Sequence, residues 1–341
     1  MKGTGGNPVC LVFVLVGLLW LLPSVPHGVA QAKVSIIANL ILGPNLLPLW
    51  IAHDQGLFAK QGVETEVVLV EGDVSRRIGN DVPFGLMGIP AAMSAVSEGR
   101  DLKVVVTLDA ARVTSHLLAR RDIKSPDGLR GKRIGVGRIG AGYWIHSILA
   151  LDQLGLDPKR DGISFVELGT VPQLVRALED GGIDAVVVDP GQSAQLRAKG
   201  FSLLLDMYPA NILGVQSALV VAGPYSRQHA DVVEKVVTGL VHGMAFCLAP
   251  ENEQTVRNVL MSRLKISVPA AVEIGYRSFL ARANRRPYAS IPAMRNMQRV
   301  MALHDAKILS VKIEDLADDR FVRKLDESGA LDRLYESYGV K

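Results

Sequence analysis

Apolar and polar positions alternate along this chain in two rhythms. Short runs rich in Val, Ile and Leu, bounded by Gly, Asp and Pro, predict strands. They fall at 33–39 (KVSIIAN), 63–72, 81–88, 101–108, 132–137 (KRIGVG), 162–169, 183–190 and 201–206, with further extended stretches at 115–122 and 217–223. Between them apolar residues recur at helical spacing. Residues 42–62 predict a loop and then an amphipathic helix whose core face is Leu47, Trp50, Ile51, Leu57 and Phe58. Further helices are expected at 89–99, 141–155, 171–182 and 191–200. After residue 223 the pattern is helical to the end, near 226–249, 251–263, 268–282, 290–304, 313–318 and 318–337.

Strand and helix taking turns in this way predicts an α/β fold with mostly parallel strands. About 309 residues follow the N-terminal apolar run, more than one compact core usually serves, so two lobes are expected. A second α/β unit sits between the extended stretches 115–120 and 217–223. The expected division is residues 33–118 with 219–341 as a discontinuous first lobe, and 119–218 as the second. Two crossings of this kind make a hinge, and a hinge between α/β lobes makes a cleft.

The N-terminus carries a different pattern. Lys2 precedes an uncharged apolar run, Val9 to Leu22, broken by Pro23 and Pro26. That run has the length of a signal-peptide core and is short for a membrane span. Ala30-Gln31-Ala32 supplies the small residues that signal peptidase accepts, so export with cleavage after Ala32 is expected. Cys10 has no lipobox before it. Beyond residue 32 a single cysteine remains, Cys247, and one thiol makes no intrachain disulfide. Its apolar neighbours predict a buried, inert group. Lys2 is the one charged residue of the first 32, which leaves 37 basic against 34 acidic and a net charge of +3. With no basic tract, no RNP-like aromatic motif and no zinc-finger spacing, nucleic acid is not the expected partner.

One motif raises a specific question. Residues 131–142, GKRIGVGRIGAG, contain Gly135-x-Gly137-x-x-Gly140, the form of a dinucleotide-binding fingerprint. That reading needs the first glycine after its strand and an acid about 20 residues on. Gly135 lies inside the strand pattern, and the acid ending the next strand, Glu167, comes 32 residues later. No nucleotide cofactor is therefore expected. Two readings of Gly140-Ala141-Gly142 stay open. They open a helix whose free N–H groups suit an anion, with Tyr143 and Trp144 covering an organic ligand, or they close a tight turn with Trp144 in the core. The chain has no H-E-x-x-H, G-x-S-x-G, Walker A or paired cysteines, so no catalytic residue and no metal is assigned. His53 and Asp54 fall on a polar helix face. His146 is read as core or surface, and His116 and His304 lack neighbours at metal-ligand spacing.

Ligands of open α/β sheets sit beyond the carboxyl ends of the strands. That rule selects Asn39, Leu40, Asn45 and Leu46 after the first strand, and Gly88, Ile89 and Pro90 after the third. It selects Asp109–Ser115, with Arg112 and Thr114, after the fourth. In the second unit it selects Arg138, Gly140, Ala141, Gly142 and Tyr143, then 169–171, Asp189–Gly191 and Asn211. Arg112 and Arg138 are candidate clamps for a carboxylate or sulfonate. Asp189 is a candidate acceptor for a cation or a cap for the helix after it.

An ordered set of segments resembles one family. LPLWIAHDQGLFAKQGVETEVV resembles the opening of nitrate/sulfonate/taurine-type substrate-binding proteins of ABC importers, whose relatives bind thiamine-precursor pyrimidines. FGLMGIPAAMSAVSEGRDLKVV, SPDGLRGKRIGVGRIGAGYWIHSILALDQLGLDP and VPQLVRALEDGGIDAVVVDP resemble its later segments in the same order. The resemblance is clear over 33–250 and looser beyond. It implies a type II periplasmic-binding-protein fold and a small, anionic organic ligand held between closing lobes. It also implies no chemistry, a monomer in the periplasm, and a membrane permease as partner. Two alternatives stay open: a pyrimidine-precursor synthase of the same fold, which wants a reactive His and Cys cluster, and a module that feeds a membrane sensor. The loop NLILGPNL is more apolar than an inorganic anion requires, and GDVSRRIGN is shorter than the family's usual helix there.

Overall fold

Among the described residues ten strands form two sheets of five. The structure is a computed structural model that describes residues 33–340, together with Met1, Gly3 and Gly5. The expected leader, its cleavage site and Cys10 lie outside the described residues. The first sheet holds β1 (Val34–Asn39), β2 (Thr65–Val70), β3 (Phe84–Gly88) and β4 (Leu102–Thr107). The second holds β5 (His116–Ala119), β6 (Arg133–Val136), β7 (Ser164–Glu167), β8 (Ala185–Val188) and β9 (Ser202–Asp206). The last strand, β10 (Ser217–Ala222), returns to the first sheet. The orders are β2-β1-β3-β10-β4 and β7-β6-β8-β5-β9. In each sheet four strands run in one direction, and the visiting strand, β10 or β5, is antiparallel to both neighbours.

Strand composition follows position. Central β10 (SALVVA) and β8 (AVVV) are buried throughout, so they read as unbroken apolar runs. Edge strand β2 (TEVVLV) alternates buried and exposed residues instead. Residues 116–118, assigned above to the first lobe, belong to β5 in the second sheet, and 217–218 belong to β10 in the first. The crossings are 108–115 and 207–216. They pair with each other through Val113 N–H to the Ile212 carbonyl (2.9 Å), Met207 N–H to Ser115 (3.1 Å) and a bridge between Arg112 and Leu213.

The helices depart from expectation in two ways. Leu47–Asp54 buries six consecutive residues, Leu47 to Ala52, so it is packed on every side and is not amphipathic. It lies against the long helix Ala230–Leu248, where Gly243 leaves room for the Pro48 backbone. The expected helix 318–337 is two, Arg320–Glu327 and Ala330–Ser337, divided by Gly329 at φ +69°. Among the described residues no single helix is long and apolar enough to cross a membrane.

Each sheet with its helices is here called a lobe, and the seam between them is packed. One apolar cluster runs from Ile37, Met87 and Ile89 through Val113 and Leu117 to Val136 and Ile145. Trp144 of the second lobe meets His304 of the first edge-on at 6.1 Å. Arg299 and Asp152 pair across the rim at 2.6 Å.

Candidate functional site

The seam's floor is a buried carboxylate. Asp109, just past β4, accepts the Ser217 N–H (2.7 Å), the Ser217 hydroxyl and the Asn45 amide (3.1 Å). Asn45 arrives on the turn after β1, and Ser217 opens β10. All three are buried and all belong to the first lobe. Burial pushes the Asp109 carboxyl above its usual range, against the pull of Arg282 and the Ser217 bonds.

Arg282 is the last residue of the helix Pro269–Arg282. Its carbonyl accepts the Ala110 N–H (2.7 Å), which fixes the helix end beside the crossing. The residue is 7% exposed, and its guanidinium reaches over the seam to Asp189 at 3.2 Å. Its Nε–H finds no protein acceptor. Asp189 follows β8 at the start of the helix Pro190–Ala198. Its side chain makes no capping bond there. It spends one oxygen on Arg282 and accepts the Tyr143 hydroxyl on the other at 3.4 Å. Nearby, His146 is buried with Nδ1 3.0 Å from the Ser115 hydroxyl and Nε2 3.4 Å from the Gln216 amide nitrogen. The Gln216 NH₂ donates, so Nε2 accepts and Nδ1–H donates to Ser115. Burial pulls the His146 pKa down to about 4, so the ring is neutral at pH 7.

Of the residues expected at the site, Asn45, Tyr143 and Asp189 join this cluster. Thr114 is buried on the crossing with its hydroxyl unmet. Asn39 donates to the Gly72 carbonyl (2.8 Å), Leu40 is half-buried, and Leu46 and Ile89 are core. Gly88 and Pro90 are half-buried at the start of the helix Ile89–Ser97, which the Ile89 N–H ties to the Gln216 carbonyl. Arg112 and Arg138 are exposed, and neither makes an ion pair among the described residues. The buried cation is Arg282, which strand-end reasoning passed over. Its signal was present: Val272, Tyr276, Phe279 and Arg282 recur at helical spacing, so an arginine continues the buried stripe.

The glycines serve packing. A side chain at Gly135 collides with Ile183, and a Cβ at Gly137 falls 2.8 Å from the Gly169 carbonyl oxygen. Gly140 holds φ +79° and leaves room for His304, 2.8 Å from where its Cβ would stand. Glu167 accepts the Ile139 N–H (2.6 Å), placing a carboxylate where a pyrophosphate would need donors. Trp144 is core, packed on Phe165 and His304, whereas Gly142, first residue of the helix Gly142–Gln153, has open space beside it. His53 bonds Thr65 (3.1 Å), and Asp54 pairs with Arg263. Cys247 is buried, and burial pushes its thiol pKa well up. Among the described residues no group of three His, Cys, Asp or Glu is placed to hold a metal.

Comparison with known proteins places the fold. The bicarbonate transport ATP-binding protein CmpC of a Synechocystis strain is 27% identical over 273 residues, 71% of this chain. The chain spans 39% of that protein's length. The aliphatic sulphonate binding protein SsuA of Escherichia coli superposes at TM-score 0.66 with 19% identity, over 84% of this chain and 92% of that one. The desulfurization enzyme DSZB superposes at TM-score 0.58 with 18% identity, over 87% and 99%. The fold is thus the periplasmic-binding-protein fold with two crossing strands, one that carries an enzyme as well as binding proteins. The family model described as NMT1/THI5 like matches residues 43–253, well over half the chain, and the chain belongs to that family.

Proposed function

We propose that this chain is the extracytoplasmic solute-binding component of an ABC importer. It captures a small organic molecule with a sulfonate- or carboxylate-like group between two closing lobes and delivers it to membrane permease subunits. The observation that carries this reading is the Arg282–Asp189 pair, two opposite charges on opposite lobes joined by paired crossings. Such a seam separates by hinge motion and re-forms around a solute. The related proteins named for sulfonate binding and bicarbonate transport support it. We assign Thr114, Tyr143, Asp189 and Arg282 to the ligand wall, in place of an Arg112 and Arg138 clamp.

No chemistry is assigned. A synthase wants a reactive nucleophile, whereas Cys247 is buried far up its titration and Ser115 is fully buried against a neutral His146. The test is a thermal-shift screen against sulfonates, nitrate, carboxylates and pyrimidines, followed by X-ray scattering. One class is expected to raise the melting temperature with concentration and to contract the particle. Conversion of the hit to a product would instead establish an enzyme.

A further inference from the structure

We propose that His146 makes the seam acid-sensitive: neutral, it lets the lobes close, and protonated, it parts them. This rests on the capture reading above and adds its regulation.

His146 stands where the two crossings meet. Its helix, Gly142–Gln153, belongs to the second lobe. Its Nδ1 bonds Ser115, the last residue of the outgoing crossing, and its Nε2 accepts from Gln216, the last of the returning one. The Gln216 carbonyl accepts the Ile89 N–H of the first lobe, so the Nε2 bond joins the two lobes. A protonated Nε2 accepts nothing. The Gln216 amide can turn and offer its oxygen, but no rotation removes the new charge.

That charge changes which ions belong together. Asp189 of the second lobe and Arg282 of the first both act on the buried ring. In the closed seam Asp189 is taken by Arg282 at 3.2 Å. Among the described residues the His146 nitrogens bond only Ser115 and Gln216, so an imidazolium there has a guanidinium nearby and no ion partner. Opening redistributes the partners. His146 and Asp189 stay together on the second lobe, and Arg282 keeps the charge of Asp109 on the first. With His146 charged, each lobe then holds a cation and a carboxylate of its own, and water reaches both. With His146 neutral, Asp189 finds its counter-charge on Arg282 and the lobes stay joined.

The other titratable groups around the ring are engaged elsewhere. Tyr143 meets it edge-on at 6.4 Å and stays a phenol, since burial and Asp189 push its pKa up. The helix Ile291–Met301 packs on the helix of His146, but its Arg299 pairs with Asp152, and His304 beyond it meets Trp144. His116 also lies near Asp189, but Ser193 (2.7 Å) and Asp206 (3.4 Å) hold it within the second lobe. Burial, helped by Arg282, holds the closed-form His146 near 4, whereas opening brings water, removes Arg282 and leaves Asp189. The open form therefore takes the proton first. Closure is fully favoured above about pH 6.5 and weakens toward about pH 4.

The test follows X-ray scattering and Trp144 emission from pH 7.5 to 4.5, with circular dichroism to check that the chain stays folded. It uses the wild-type protein and Arg299→Ala, each with and without His146→Gln, and His116→Gln. His146→Asn replaces His146→Gln if the glutamine variant does not fold. Arg299→Ala removes the rim pair with Asp152 and biases the seam toward opening without touching the charges around His146. In wild type or Arg299→Ala the open-to-closed ratio is expected to rise about tenfold or more on acidification. With His146 replaced the ratio should stay level, and His116→Gln should behave as wild type. No expansion in either parent, equal expansion without His146, or a lost effect in His116→Gln overturns the assignment. So does expansion that coincides with loss of circular dichroism, which is unfolding. If acid changes nothing but a solute from the screen above still contracts the particle, the proton link falls and the capture reading stands. If neither acid nor any solute changes the particle, both fall.

Discussion

Asp109 and Asp189 are two carboxylates on opposite walls of one seam, and their partners differ in kind. Asp109 accepts bonds from Asn45 and twice from Ser217, all within its own lobe. Asp189 accepts one 3.4 Å bond from its own lobe, and its charge is answered only from the other. The hydrogen bonds of the first carboxylate therefore do not depend on whether the lobes meet. The second is satisfied by closure or by whatever takes the place of closure. A buried polar group bonded at home is structure, whereas one bonded across a hinge is part of an equilibrium.

The largest expected effect tests that division directly. Asp109→Ala strips three hydrogen bonds and leaves the Ser217 N–H and hydroxyl proton unmet in a buried site, so urea unfolding should show a loss of about 3–5 kcal/mol. Asp189→Ala leaves a buried Arg282 that regains water when the seam opens, so it should cost less, about 1–2 kcal/mol, and instead enlarge the particle in X-ray scattering. Equal losses would erase the distinction.

Acid provides the next test. His146 titrates near 4 when folded and near its ordinary value when unfolded. The unfolded chain therefore takes the proton first as pH falls. Stability is full above about pH 6.5 and declines toward pH 4, by about 3 kcal/mol in total. Urea midpoints at pH 7, 5.5 and 4 should trace that fall, and His146→Gln should flatten it.

Two glycines sharpen the comparison further. Gly137 abuts Gly169 of its own lobe, so Gly137→Ala should destabilise the fold by about 1–3 kcal/mol with no relief from hinge motion. Gly140 abuts His304 of the other lobe, so Gly140→Ala should be partly rescued by His304→Ala. What persists is the strain of a left-handed alanine, about 1 kcal/mol. Arg112→Ala and Arg138→Ala, at exposed side chains, should move stability by less than about 0.5 kcal/mol. A larger loss of ligand affinity in either would return the clamp to those residues.

All ten strands were legible in the chain because burial writes itself as runs of Val, Ile and Leu, and their ends came within a few residues. The breaks that divide the late helices were harder, since the unpaired stretches around Gly329 keep a helical rhythm. The proposed ligand wall was half legible. Strand ends led to Asn45, Tyr143 and Asp189, because topology fixes where strand ends gather. They missed Arg282, which arrives on a late helix far along the chain and meets Asp189 only through tertiary packing. The exposed arginines were chosen for being near strand ends, and proximity along the chain says nothing of which way a side chain turns. Arg282 was marked instead by its misfit, a charge on an apolar stripe.

The visiting strands bear on how the chain assembles. Within the first sheet β3 and β4 do not touch; β10 lies between them and pairs with both. Until residues 217–222 arrive, that sheet is two pieces with unpaired edges, β2-β1-β3 on one side and β4 on the other. The second sheet waits less, since β8, at 185–188, joins the β7-β6 pair to β5 well before the chain leaves that lobe. The second lobe is thus an insertion that organises locally, and the first closes last, through contacts of long sequence separation that slow folding. Strand β10 is the keystone, and the step that completes the first sheet is the one that brings Ser217 to Asp109 and sets the floor of the seam.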